Sequence, residues 1–129
     1  MAQAQRAVAA VIAEAEADGR PMSVVVADDN GDPICSVRMD GAPERTLRFA
    51  FRKAYTAAVM GRDTIVFKQL LQDQHRSLED YGDPMFTTLQ GGVVVMLDGK
   101  VVGGLAVGGN TTARDEVIAR IGLEALLAD

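Results

Sequence analysis

The sequence holds one cysteine, one histidine and no tryptophan in 129 residues, and aromatic residues make up only 5% of it. A lone cysteine, Cys35, rules out an internal disulfide and a cysteine-based metal cluster. A lone histidine, His75, leaves no basis for arguing a Ser-His-Asp or Cys-His catalytic arrangement. No spacing of His, Cys, Asp and Glu matches a structural zinc or calcium site. With so few aromatics, a core has to be assembled from Val, Ile, Leu, Ala and Met. Basic residues are also outnumbered: 13 Lys and Arg stand against 18 Asp and Glu, a net charge of -5. That balance works against a nucleic-acid surface, whose affinity rests on Lys and Arg neutralising phosphates. No apolar run is long enough to span a bilayer, and Met1 to Arg6 lack the pattern of an export signal. The expectation is a cytoplasmic protein with neither a membrane nor a nucleic acid as partner.

What is present fits one domain over residues 1–129, with 48% hydrophobic and 24% charged residues. Val8, Val11, Ile12 and Ala15 recur at helical spacing, and Gly19 with Pro21 ends that helix. Met22–Ala27 and Ile34–Met39 read as strands joined by the turn cluster Asp28–Asp32, which makes a hairpin. Cys35, Val37 and Met39 fall on one side of the second strand, so Cys35 is expected to be buried rather than reactive. A longer helix starts near Pro43 with Leu47, Phe51, Ala54 and Ala58 as its apolar stripe and stops near Gly61. Asp63 or Thr64 caps a further helix carrying Ile65, Leu70 and Leu71. From His75 to Gln90 periodicity dissolves, and a loop of that length is often functional.

Val93–Leu97 and Val101–Val107 are apolar runs joined by Asp98-Gly99-Lys100, strong chemistry for a tight hairpin. Thr112 with Asp115 resembles a capping box opening the last helix, whose buried stripe reads as Val117, Ile118, Ile121 and Ala125. The order α-β-β-α-α-loop-β-β-α with hairpin-linked strands implies an α+β fold, an antiparallel sheet flanked by helices in two or three layers. Val93 to Met96 are apolar on both faces, whereas a half-solvated strand should alternate, so something covers the second face. A second copy of the chain is as good a cover as its own helices, hence the expectation of a homo-oligomer.

Chemistry-bearing residues are few. Arg45, Arg48, Arg52 and Lys53 form a basic cluster suited to one anionic ligand. Lys53 near an apolar wall would serve as a base or an anion clamp, against the alternative of a solvated helix flank. His75 is either a general base or iron ligand, or a solvated surface residue in the polar stretch Gln72–Arg76. Gly108-Gly109 before a helix lets backbone amides approach a carboxylate or phosphate, yet it lacks the Lys and Ser/Thr of a phosphate loop.

Several short motifs together resemble the GlcG/HbpS family, whose domain also forms the C-terminal part of PduO-type proteins. They are Lys53-Ala54-Tyr55-Thr56-Ala57, Thr64 and Phe67, Gly91-Gly92-Val93, Asp98 to Gly104, and Val107-Gly108-Gly109 followed by Asp115. The resemblance spans about residues 2–127 and departs where Val94 replaces a usual proline and Gly108 a usual serine. It implies a profilin-like antiparallel sheet flanked by helices, homo-oligomers, and haem or corrinoid as ligand. Carried over by position, it implies that Lys53, Tyr55 and Thr56, with Gly91 and Gly92, line the ligand site. The leading expectation is a small-ligand-binding protein for haem or a related tetrapyrrole. Arg52 or Lys53 would meet propionates, and Thr56, Tyr55 or His75 would ligate iron. The alternative is an isomerase, hydratase or lyase acting on a carboxylic or phenolic metabolite. Lys53, Tyr55, His75 and Asp83 would then supply acid-base chemistry, the Gly108-Gly109 amides an anchor, and the 75–90 loop a lid.

Overall fold

In a computed structural model, which describes residues 1–128, the expected element order is present. The helices are α1 (Ala2–Asp18), α2 (Glu44–Met60), α3 (Thr64–Asp73) and α4 (Thr112–Leu127). The strands are β1 (Ser23–Asp28), β2 (Pro33–Arg38), β3 (Gly92–Leu97) and β4 (Lys100–Gly108). Gly19 and Gly61 close α1 and α2 in the left-handed conformation, where a side chain would be strained. The four strands form one antiparallel sheet in the order β2-β1-β4-β3, so the two hairpins meet through β1 and β4.

Strand alternation sorts the core into two layers. Val24, Val26, Val93, Val95, Leu105 and Val107 face α1 and α4. Val25, Ala27 and Ala106 face Ala50 and Ala54 of α2. On β1 and β4 the second face is therefore covered by α2 itself, whereas on β3 Val94 is only half-buried and Met96 is exposed.

Small residues set how closely α2 lies on the sheet. A Cβ at Gly104 would run into the carbonyl oxygen of Ala54, and one at Gly108 would come 2.5 Å from the carbonyl oxygen of Thr46. Ala50, Ala54, Ala57 and Ala58 are fully or almost fully buried along the same contact. The helix thus beds down backbone to backbone, and its larger side chains Leu47 and Phe51 are displaced to the flanks, half-buried.

The same effect corrects the expected face of α4. Its buried residues are Asp115, Ile118, Ala119, Gly122 and Leu126, while Val117 is exposed. Gly122 admits Val11 of α1, whose Cγ2 would sit 2.9 Å from an added Cβ. Steric fit to α1 overrides the larger hydropathy of Val117. The expected capping box is also displaced by one residue. Thr111 is the N-cap and accepts from the Arg114 amide, and the Asp115 carboxylate accepts from the Asn110 amide instead. At α3, Asp63 holds the cap position, yet its carboxylate accepts from the Val94 amide and from Arg120.

Replacing Gly104 by Ala is expected to lift α2 from β4 and cost ~1–3 kcal/mol, the usual toll of overpacking a close contact. Urea unfolding of the variant against the parent chain measures it.

Candidate functional site

The bedding of α2 carries a charged side chain into the interior. Lys53 lies three residues beyond Ala50 on the sheet-facing side of α2, and it is 2% exposed. Its ammonium donates to the Val107 carbonyl oxygen at 2.8 Å and to Asp115 Oδ2 at 3.0 Å. Asp115, in the first turn of α4, is equally buried, and its Oδ1 accepts from the Asn110 amide at 2.9 Å. Burial pushes the pKa of Lys53 below the ordinary lysine value and that of Asp115 above the ordinary carboxylate value. In each case the partner's opposite charge and hydrogen bond work against the shift. Gly91 makes the room: at φ +126°, it would place an added Cβ 2.7 Å from Lys53 Nζ and 3.0 Å from Asp115 Cβ.

Above this ion pair opens a pocket of about 470 Å³. Lys53 and Asp115 belong to its lining, with Gly108, Gly109, Asn110 and Thr112 at the junction of β4 and α4. Arg20 and Arg45, both exposed, add two guanidinium groups. Among the described residues Arg45 has no hydrogen-bonding or ionic partner. Pro21, Pro43, Phe49 and Leu89 supply apolar wall. Such an arrangement suits a small ligand with an anionic group and an apolar body.

The structure divides the expected site residues into three groups. Lys53, Gly108 and Gly109 line the pocket, and Gly91 stands directly behind Lys53. Thr56 is fully buried elsewhere on α2, where its hydroxyl accepts from the Thr87 amide at 3.0 Å. Gly92 packs against the Lys53 carbonyl group and the Thr64 side chain, and its backbone amide donates to the Thr64 hydroxyl at 3.1 Å.

The third group belongs to the long loop. Tyr55 donates to Asp83 at 2.5 Å, a bond that pushes the phenol pKa up. Tyr55, Phe67, Tyr81 and Phe86 form an aromatic cluster with centroid separations of 5.5–6.0 Å. Arg52 donates to the Phe86 carbonyl oxygen at 2.9 Å. The loop from His75 to Gln90, with a single 3-10 turn at Leu78–Tyr81, is therefore pinned to α2 and α3 by these contacts. His75 is exposed at the end of α3, in a left-handed conformation, and is not part of the pocket lining.

The basic cluster of the sequence is split in the same way. Arg45 and Lys53 reach the pocket, Arg48 pairs with Glu44 on the surface, and Arg52 holds the loop. Sequence reasoning missed Asp115 as a site residue, having assigned it to capping. It also missed Arg20, which lies in the α1–β1 connection and meets the pocket only through the fold.

Comparison with known proteins places these features in context. A family model described as haem degrading protein HbpS-like matches residues 1–124. The GlcG protein of Escherichia coli is 31% identical over 107 residues, covering 80% of this chain and 78% of that protein. A double mutant of Streptomyces reticuli HbpS superposes with a TM-score of 0.87 at 35% identity, covering 98% of this chain and 85% of that one. A PduOC:haem complex superposes with a TM-score of 0.88 at 25% identity, covering 97% and 92% respectively.

Removing one partner of the buried pair should leave an uncompensated charge. Lys53→Met or Asp115→Asn alone is expected to cost about 3–5 kcal/mol, and the double variant clearly less than the sum. A double-mutant cycle in urea checks this, and additive losses would mean the two groups are not coupled.

Proposed function

This chain belongs to the HbpS-like family, and we propose that it is a small-ligand-binding protein whose ligand is haem or a related tetrapyrrole. One observation carries the reading: a pocket with two outlying guanidinium groups and an apolar wall, in a fold shared with a protein solved as a haem complex. The pocket residues suit the periphery of such a ligand. Arg20 and Arg45 would pair with its propionates, and Phe49 and Leu89 would lie against the ring. They do not suit its metal, because the lining contains no His, Met, Cys or Tyr side chain. Thr56 and Tyr55 have their hydroxyls engaged by Thr87 and Asp83, and His75 lies outside the pocket. Binding on this reading rests on carboxylate pairing and apolar contact, with no protein ligand to iron taken from this pocket.

The proposal includes a homo-oligomer in the cytoplasm without a nucleic-acid or membrane partner. No helix among the described residues is long and apolar enough to cross a membrane. Ile34, Leu97 and Val102 are exposed around an apolar groove at the other end of the sheet, which supports self-association. Sedimentation at micromolar concentration tests this part, and a monomer there would remove it.

For the ligand, haemin titration followed by visible absorption and by retention on dialysis is the direct test. Saturable binding at low-micromolar affinity or better is expected. Arg45→Ala should weaken it about tenfold, equivalent to ~1.4 kcal/mol for one charge-assisted contact, while His75→Ala should leave it unchanged. A chain that neither alters the haemin spectrum nor retains it would overturn the reading.

A further inference from the structure

Three features coincide at the floor of the pocket. An ion pair is buried there, with side chains 2% and 3% exposed. Gly91 adopts φ +126° behind it, and Gly109 adopts φ +130° beside it. A buried ion pair is weak evidence for stability, since apolar residues of similar volume often hold a core equally well. A chain that retains one, and shapes its backbone around it at the base of a cavity, has placed it where a ligand arrives.

We propose that Lys53 and Asp115 are a proton-transfer pair acting on a small carboxylate with an acidic C–H beside a keto group, such as a 2-oxo acid. The class of substrate follows from the pocket. Arg20 and Arg45 select an anionic group, the volume of about 470 Å³ admits a small molecule, and Phe49 and Leu89 accept an apolar substituent. The pair is suited to the step because a proton can pass between Nζ and Oδ2, 3.0 Å apart, without changing the net charge buried. Burial presses both groups toward their neutral forms, which brings the neutral pair closer in energy to the ionic one.

With its proton lodged on Asp115, the Lys53 amine takes a proton from the carbon adjoining the keto group. The electron pair of that C–H bond becomes the C=C bond of an enolate, and the keto oxygen gains the negative charge next to the pocket cations. Return of a proton from the Lys53 ammonium to carbon restores the keto acid, and water exchanges the proton held by the pair in between. No oxidant, reductant or further reactant is required.

This inference rests on the pocket being the ligand site, not on the ligand being a tetrapyrrole. Its test is proton-to-deuterium exchange at carbon 3 of pyruvate, 2-oxobutyrate and phenylpyruvate in D2O, followed by proton NMR. The parent chain is expected to exceed the buffer rate by about 100-fold or more for at least one of them, the usual contribution of a placed acid-base group. Two variants separate chemistry from structure. Lys53→Met with Asp115→Asn removes both charges together, and Lys53→Arg keeps the ion pair but offers a guanidinium that does not give up its proton. Either variant, once circular dichroism confirms that it is folded, is expected to fall to the buffer rate. No acceleration by the parent chain with any of the three acids overturns the proposal, as does undiminished exchange by a folded variant. Exchange without haemin binding would sustain this inference and remove the tetrapyrrole reading, and haemin binding without exchange would do the reverse.

Discussion

The ammonium of Lys53 is held between Asp115 on α4 and the Val107 carbonyl oxygen at the end of β4, and the three elements are obliged to meet around it. An unpaired charge at that depth would be far costlier than any contact nearby, so the arrangement of α2, β4 and α4 is constrained together. The Asp115 carboxylate also accepts from the Asn110 amide, so the entry of α4 is tied to the same pair. A shift of any one element would leave a buried donor or acceptor without its partner.

That constraint is only met because α2 reaches the sheet at backbone distance. Gly104 and Gly108 on β4, and the alanines of α2 above them, remove the side chains that would otherwise hold the layers apart. On the opposite face, larger side chains from the strands fill the space to α1 and α4, which pack on each other through Ala7, Val11, Ala119 and Gly122. The sheet therefore has a thick, conventional core on one side and a thin, small-residue seam on the other. The pocket opens at the end of the thin side, where α2 begins and β4 gives way to α4.

The loop after α3 has a different part from the lid that its length suggests. Phe86 and Tyr81 pack on Tyr55 and Phe67, and Arg52 grips the Phe86 carbonyl oxygen. Most of the chain's few aromatic residues are gathered in that one cluster, which buttresses the outer side of α2. Only Leu89, near the end of the loop, enters the pocket wall. In a family whose members include proteins related to haem, the pocket lining of this chain offers two guanidinium groups and no His, Met, Cys or Tyr side chain.

Local sequence was sufficient for the elements. The Asp98-Gly99 turn, the Gly19 and Gly61 stops and the apolar periodicity of α1 all follow from backbone sterics and spacing within a few residues. The antiparallel sheet followed from the hairpins, though not the β1–β4 pairing that joins them, and the motif set around Lys53, Gly91 and Gly108 pointed to the family. Hydropathy could not choose the buried faces of α2 and α4, because small residues there win by close approach rather than by apolar area. Nor could it join Lys53 to Asp115, 62 positions away, or bring Arg20 to the same pocket. Those meetings depend on how far one helix sinks onto one strand. That depth is set by steric fit and by the need to pair every buried charge across layers, which only the folded chain decides.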